Sequence, residues 1–198
     1  ANLPALWALV ERLTGIDPHY EIGSFLAHPE ARRHFRHGQG DVGDLFAPGA
    51  GRMRVVEQHQ RATKQAASVS NFNLVGAAQV GKASLAGMRL LHRLHPAIPL
   101  WPLDPVPAKG PLLVEIYTSL AARAAGVRAG RSKIHDGETL DKALAVLGSP
   151  KTGLRGPVSD HASDALLTTA WLRVIAADAA AWSPSPLSDT LARTEGWT

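Results

Sequence analysis

The run Leu112-Leu-Val-Glu-Ile-Tyr117 constrains this chain more than any other stretch, because it is continuous, apolar and broken by a single carboxylate. An apolar run of that length fits a strand buried on both faces of a mostly parallel sheet. Its carboxylate, Glu115, is costly there unless it is paired, hydrogen-bonded or bound to a cation. Phe72-Asn-Leu-Val-Gly76 and Ile98-Pro-Leu-Trp101 are two further short strand candidates. Helical patterns surround them. Residues 4–14 start at Pro4 and stop at Gly15, and 55–67 is helix-compatible and polar. Residues 82–94 carry an apolar stripe of Leu85, Met88, Leu91 and the neighbouring Leu90 and Leu94. Segments 118–125 and 137–147 follow, and a last long helix runs from about 160 to 180, ended by Ser183-Pro-Ser-Pro186. Strands alternating with helices predict an α/β domain.

The 198 residues are the length of one globular domain, read as residues 1–198 with a basic, glycine-rich excursion over 17–67. A hydrophobic fraction of 45% and a charged fraction of 19% exclude general disorder. No apolar run approaches the roughly 20 residues that a spanning helix needs. The absence of cysteine removes disulfide scaffolds, thiolate metal sites and cysteine nucleophiles, and is compatible with a cytoplasmic location. Lys and Arg outnumber Asp and Glu by 21 to 17, a balance that permits a polyanionic partner without demanding one. The chain opens on Ala-Asn-Leu-Pro rather than Met and stops at Thr194-Glu-Gly-Trp-Thr198 as if approaching a strand, the pattern expected of a piece of something longer.

Three places could carry chemistry. Gly76-Ala-Ala-Gln-Val-Gly-Lys-Ala-Ser84 has the glycine spacing and lysine of a phosphate-binding P-loop. However, Ala83 stands where the motif needs a hydroxyl for magnesium, and the alternative is a glycine turn that lets a helix pack closely. Glu115 is the second: a carboxylate near the carboxyl end of a strand lies where open α/β sheets place their sites. The third is Ser159-Asp160-His161-Ala-Ser-Asp164, whose Asp160, His161 and Asp164 can share one helix face. Capping by Ser159 or Asp160 explains one acid of that group; a divalent cation would offset the repulsion between two. Histidine pairs His34/His37 and His92/His95 lack a third ligand, and the scattered tryptophans read as packing residues.

Val75-Gly-Ala-Ala-Gln-Val-Gly-Lys-Ala-Ser-Leu-Ala-Gly-Met88, Leu90-Leu-His-Arg-Leu94, Leu100-Trp-Pro-Leu-Asp104, Val114-Glu-Ile-Tyr117, Asp164-Ala-Leu166 and Glu195-Gly-Trp197 occur in that order. Over residues 72–197 this order resembles a domain-of-unknown-function family of predicted RNase H-like nucleases. The resemblance implies an RNase H-like mixed sheet flanked by helices, and carboxylates that bind Mg²⁺ or Mn²⁺ for phosphodiester hydrolysis. It assigns Glu115 to the strand glutamate, Asp164 to the final-helix aspartate, His161 to a position filled by Asp or His in Holliday-junction resolvases, and Asp160 to an extra ligand or cap. The family's first strand, with its leading aspartate, has no counterpart in this chain, so an exposed sheet edge is expected, with either association as a homo-oligomer or reduced stability.

The leading expectation is therefore a metal-dependent nuclease with Glu115, His161 and Asp164 as its partial site. Arg32, Arg33, Arg36, Arg52, Arg54 and Lys82 would meet the phosphates of a nucleic acid. A binding or structural module without catalysis, and a P-loop-like nucleotide-binding protein using 76–84, are the alternatives.

Overall fold

The computed structural model describes residues 2–47, 51–76, 79–127 and 133–198. Pro48 and Gly49 of the glycine-rich excursion, and Ala77 and Ala78 of the glycine turn, lie outside them. The chain divides into two compact units, one of Ala1–Val114 with Pro186–Trp197 and one of Glu115–Ser185.

In the first unit, α1 (Leu3–Thr14) begins where Asn2 accepts a hydrogen bond from Ala5 N at 3.0 Å, with Pro4 in the first turn. Its inward face, Leu3, Trp7, Val10 and Thr14, is buried. α2 (Gly23–Ala27) and α3 (Pro29–Arg32) are single turns inside the excursion, and α4 (Val55–Ala62) follows it. α5 (Gly81–Leu94) packs along α1. Val10, Ile22, Phe25, Phe35, Leu74 and Leu85 form one core cluster, and Leu3, Trp7 and Leu100 a second. The α5 stripe differs from expectation at one position. Leu90 faces solvent while Arg89 is 2% exposed, its guanidinium held by Glu11 Oε2 at 2.8 Å and the carbonyls of Asp17 and Glu21 at 3.1 and 2.6 Å. β1 (Leu100–Trp101), β2 (Leu113–Val114) and α9 (Asp189–Thr194) complete this unit.

In the second unit, α6 (Ser119–Ala124), α7 (Gly137–Val146) and α8 (Asp160–Ile175) enclose one aliphatic cluster. Leu140, Leu144 and Ile134 meet Leu167 and Ala170 of α8 and Ala121 and Ala122 of α6. Asp141, buried on α7, accepts from both the amide and the hydroxyl of Thr152 at 2.7 Å, which fastens the 150s loop to the helix.

The mixed sheet is not formed. Among the described residues the protein is mostly helical, and the sheet is two strands of two residues each, parallel, with Leu100 opposite Leu113 and Trp101 opposite Val114. An RNase H-like α/β architecture is thereby overturned. Proline supplies much of the reason, since it brings no N–H to a ladder. β1 is bracketed by Pro99 and Pro102, so it ends after two residues; Pro111 closes off the approach to β2. Past Val114 no partner strand continues, and Glu115–Tyr117 run on toward α6. The 72–76 segment makes one parallel bridge, Asn73 with Arg36, because Arg36 also bridges Val42 across a turn at Gly38.

Candidate functional site

The acids expected to hold a metal all fall in the second unit. Ser159 caps α8, accepting from Ala162 N at 3.3 Å, which leaves Asp160 free of that task. The Asp160 carboxylate instead receives the Lys133 ammonium and lies 3.5 Å from His135 Nδ1. The Lys133 hydrogen bond holds the Asp160 carboxyl below the usual aspartate range. Both partners come from the irregular segment before α7, brought to α8 by Val158 N donating to His135 O at 2.8 Å and by the bridge of Asp136 with Pro157.

One turn along α8, Asp164 accepts from the Thr118 hydroxyl at 3.2 Å. That contact ties the chain just past Glu115 to the first turns of α8, so the structure joins two segments 46 residues apart. Glu115 itself is exposed rather than buried in a sheet, which removes the desolvation cost expected of it. His161 is exposed as well. Leu166 lies on the outward side of α8 at 36% exposure, whereas Leu167 is buried.

Among the described residues no group of three or more His, Asp or Glu converges as a metal site. Asp160 is engaged by a lysine and a histidine, and Asp164 by a hydroxyl. These residues, as arranged, do not fit Mg²⁺ or Mn²⁺. Lys133, His135 and Thr118 are the site partners that periodicity misses, because two of them sit in irregular chain and reach α8 only through tertiary bonds.

The cations fall in the first unit and divide into two sets. Arg32 pairs with Asp41 at 2.5 Å, and Arg33 with Asp44 at 2.8 Å and Glu30 at 3.1 Å. Arg54 pairs with Glu57 at 2.9 Å and donates to the Glu195 carbonyl at 3.1 Å. Arg36, Arg52 and Lys82 are exposed and, among the described residues, carry no ion pair.

Those three are set around one short stretch, Phe72–Leu74. The Arg36 amide donates to Phe72 O at 3.0 Å, and its carbonyl accepts from Leu74 N at 3.1 Å. Arg52 lays its guanidinium over the Phe72 ring, 5.8 Å from the centroid, and its carbonyl accepts from Ser70. Gly81 N donates to Asn73 O at 3.2 Å, which fixes Lys82 in the first turn of α5. Gly81 is required by that packing: a Cβ there would stand 2.4 Å from the Asn71 carbonyl oxygen. Close approach of helix to chain thus accounts for this glycine without a nucleotide. The start of α5 has no side-chain cap and no acidic residue in its first turn, so the positive end of its dipole adds to the three cations.

His95 pairs with Asp104 at 3.1 Å and sets its ring against Trp7, while Asp104 also accepts from Leu100 N at 2.8 Å. Among the described residues no helix is long and apolar enough to cross a membrane. No family model, curated protein or solved structure matches this chain.

Proposed function

We propose that the first unit binds nucleic acid through its phosphate backbone, using Arg36, Arg52 and Lys82. The observation that carries this reading is the sorting of the cations. Arg32, Arg33 and Arg54 are neutralised by carboxylates of the same unit, while these three, set around one stretch of chain, carry no ion pair among the described residues. Three phosphate contacts give weak, sequence-independent affinity, with Kd on the order of 10⁻⁴–10⁻⁶ M at physiological salt and log K falling with log salt at a slope of about −2.7. Titration of a labelled duplex, followed by anisotropy at several salt concentrations, tests it. The triple variant Arg36→Gln, Arg52→Gln, Lys82→Gln is expected to lose the salt-dependent binding. Arg32→Gln with Arg33→Gln keeps it. Equal binding by the triple variant and the parent overturns the reading.

A further inference from the structure

We propose that this surface, if it binds nucleic acid as set out above, reads phosphate alone and makes no use of the bases. Nucleic-acid surfaces that engage bases without reading sequence do so by offering aromatic faces for stacking. In the first unit those faces are already occupied. Phe72, the aromatic ring at the centre of the three cations, has the Arg52 guanidinium over it and the Phe35 ring packed against it at 5.3 Å. Phe35 is buried and meets Phe25 and His37 edge-on at 6.3 and 6.4 Å. Tyr20, the most exposed of the set, is covered by Arg93 at 5.0 Å and Arg89 at 5.5 Å. Trp7, Trp101 and Trp197 are buried, Trp197 against His59. Around Phe72–Leu74 the exposed groups are therefore cations, and the aromatic rings of this unit are already packed or covered.

The ligand class follows from that surface: any phosphodiester strand, whatever its base content. The test compares a base-bearing single strand with an abasic strand of equal length, each labelled and titrated into the full chain at the same salt. Affinities within about twofold are expected, because the phosphate spacing is the same. Weakening of the abasic strand by about fivefold or more, as loss of even one stacked base would give, overturns the inference and leaves the nucleic-acid reading standing. Failure of both strands to bind overturns both together. Arg52→Gln provides the internal check, and it is expected to weaken the two strands by the same factor. A loss confined to the base-bearing strand would mean that Arg52 contacts bases, which also sinks the inference.

Discussion

The two units solve the same folding problem with different materials. The second is a set of helices around aliphatic side chains, with Leu140, Ile134 and Leu167 almost wholly buried. The first has more irregular chain than helix between α1 and α5, and it compensates with buried polar clasps. Arg89 gathers Glu11, the Asp17 carbonyl and the Glu21 carbonyl; Ser24 donates to Asp17; Gln60 takes the Ser68 hydroxyl. Irregular chain leaves backbone and charge to be satisfied one group at a time. A unit built that way can leave chosen cations at its surface without an ion pair among the described residues, as Arg36, Arg52 and Lys82 are. In the helical unit the acids of α8 are met by Lys133, His135 and Thr118 of the same unit.

The sharpest way to break this contrast is Arg89→Met. Removing one partner of a buried pair strands the other groups, and the loss is expected at about 4 kcal/mol. Hydrogen exchange resolved by segment checks where it falls. Protection should drop across α1 and α5 and hold across α7 and α8. A uniform drop would mean that the two units do not open independently.

Leu140→Ala is the counterpart in the second unit. Leu140 is 0% exposed, and truncating a fully buried leucine costs about 3 kcal/mol, transfer and cavity together. Denaturant unfolding should show that loss with no change in nucleic-acid affinity, since the proposed surface belongs to the other unit.

Acid separates the units more gently. Hydrogen bonds from Arg89 and Arg93 hold the Glu11 carboxyl below its ordinary 4.5. A depressed carboxyl stabilises the fold above its unfolded value, and that contribution is lost as pH falls through the folded value. The first unit should therefore weaken as pH drops below the ordinary glutamate range, with Arg89 left without its anion. Glu11→Gln is expected to be less stable at neutral pH and flatter in its acid profile. A profile as steep as the parent's would assign the acid response to Asp17, whose carboxyl Ser24 also holds low.

Helices and sheet were not equally legible in the sequence. Helices α1, α5, α7 and α8 carry local signals, such as Pro4 after the Asn2 cap and Ser159 ahead of α8, and they start close to where those signals point, although α8 ends at Ile175 rather than near 180. A strand has no such autonomy, because it needs a partner far along the chain. Leu112–Tyr117 looked like the best strand and is paired at Leu113 and Val114 alone. Pro99 and Pro102 flank β1 and keep it to Leu100 and Trp101. Charge shows the same divide. All six cations are visible in the sequence, but Asp41, Asp44 and Glu57 decide which of them are ion-paired, and the Glu195 carbonyl that also holds Arg54 lies 141 residues away. The burial of Arg89 is equally non-local, since its acceptors come from α1 and the turn after it.

The smallest effect is expected where the sequence seemed most suggestive. Lys133→Met removes the ammonium from Asp160, yet the two side chains are 67% and 36% exposed, and pairs that open to solvent contribute little to stability. The Lys133 hydrogen bond keeps the Asp160 carboxyl low, so what the pair contributes is present above the ordinary aspartate range and fades as pH falls below it. The difference between parent and variant melting curves should then be small at pH 7 and shrink as pH falls below the ordinary aspartate range. A large difference at neutral pH would mean that Asp160 and Asp164, one turn apart, depend on that ammonium as their counter-charge, and the acids of α8 would then be under more mutual repulsion than their exposure suggests.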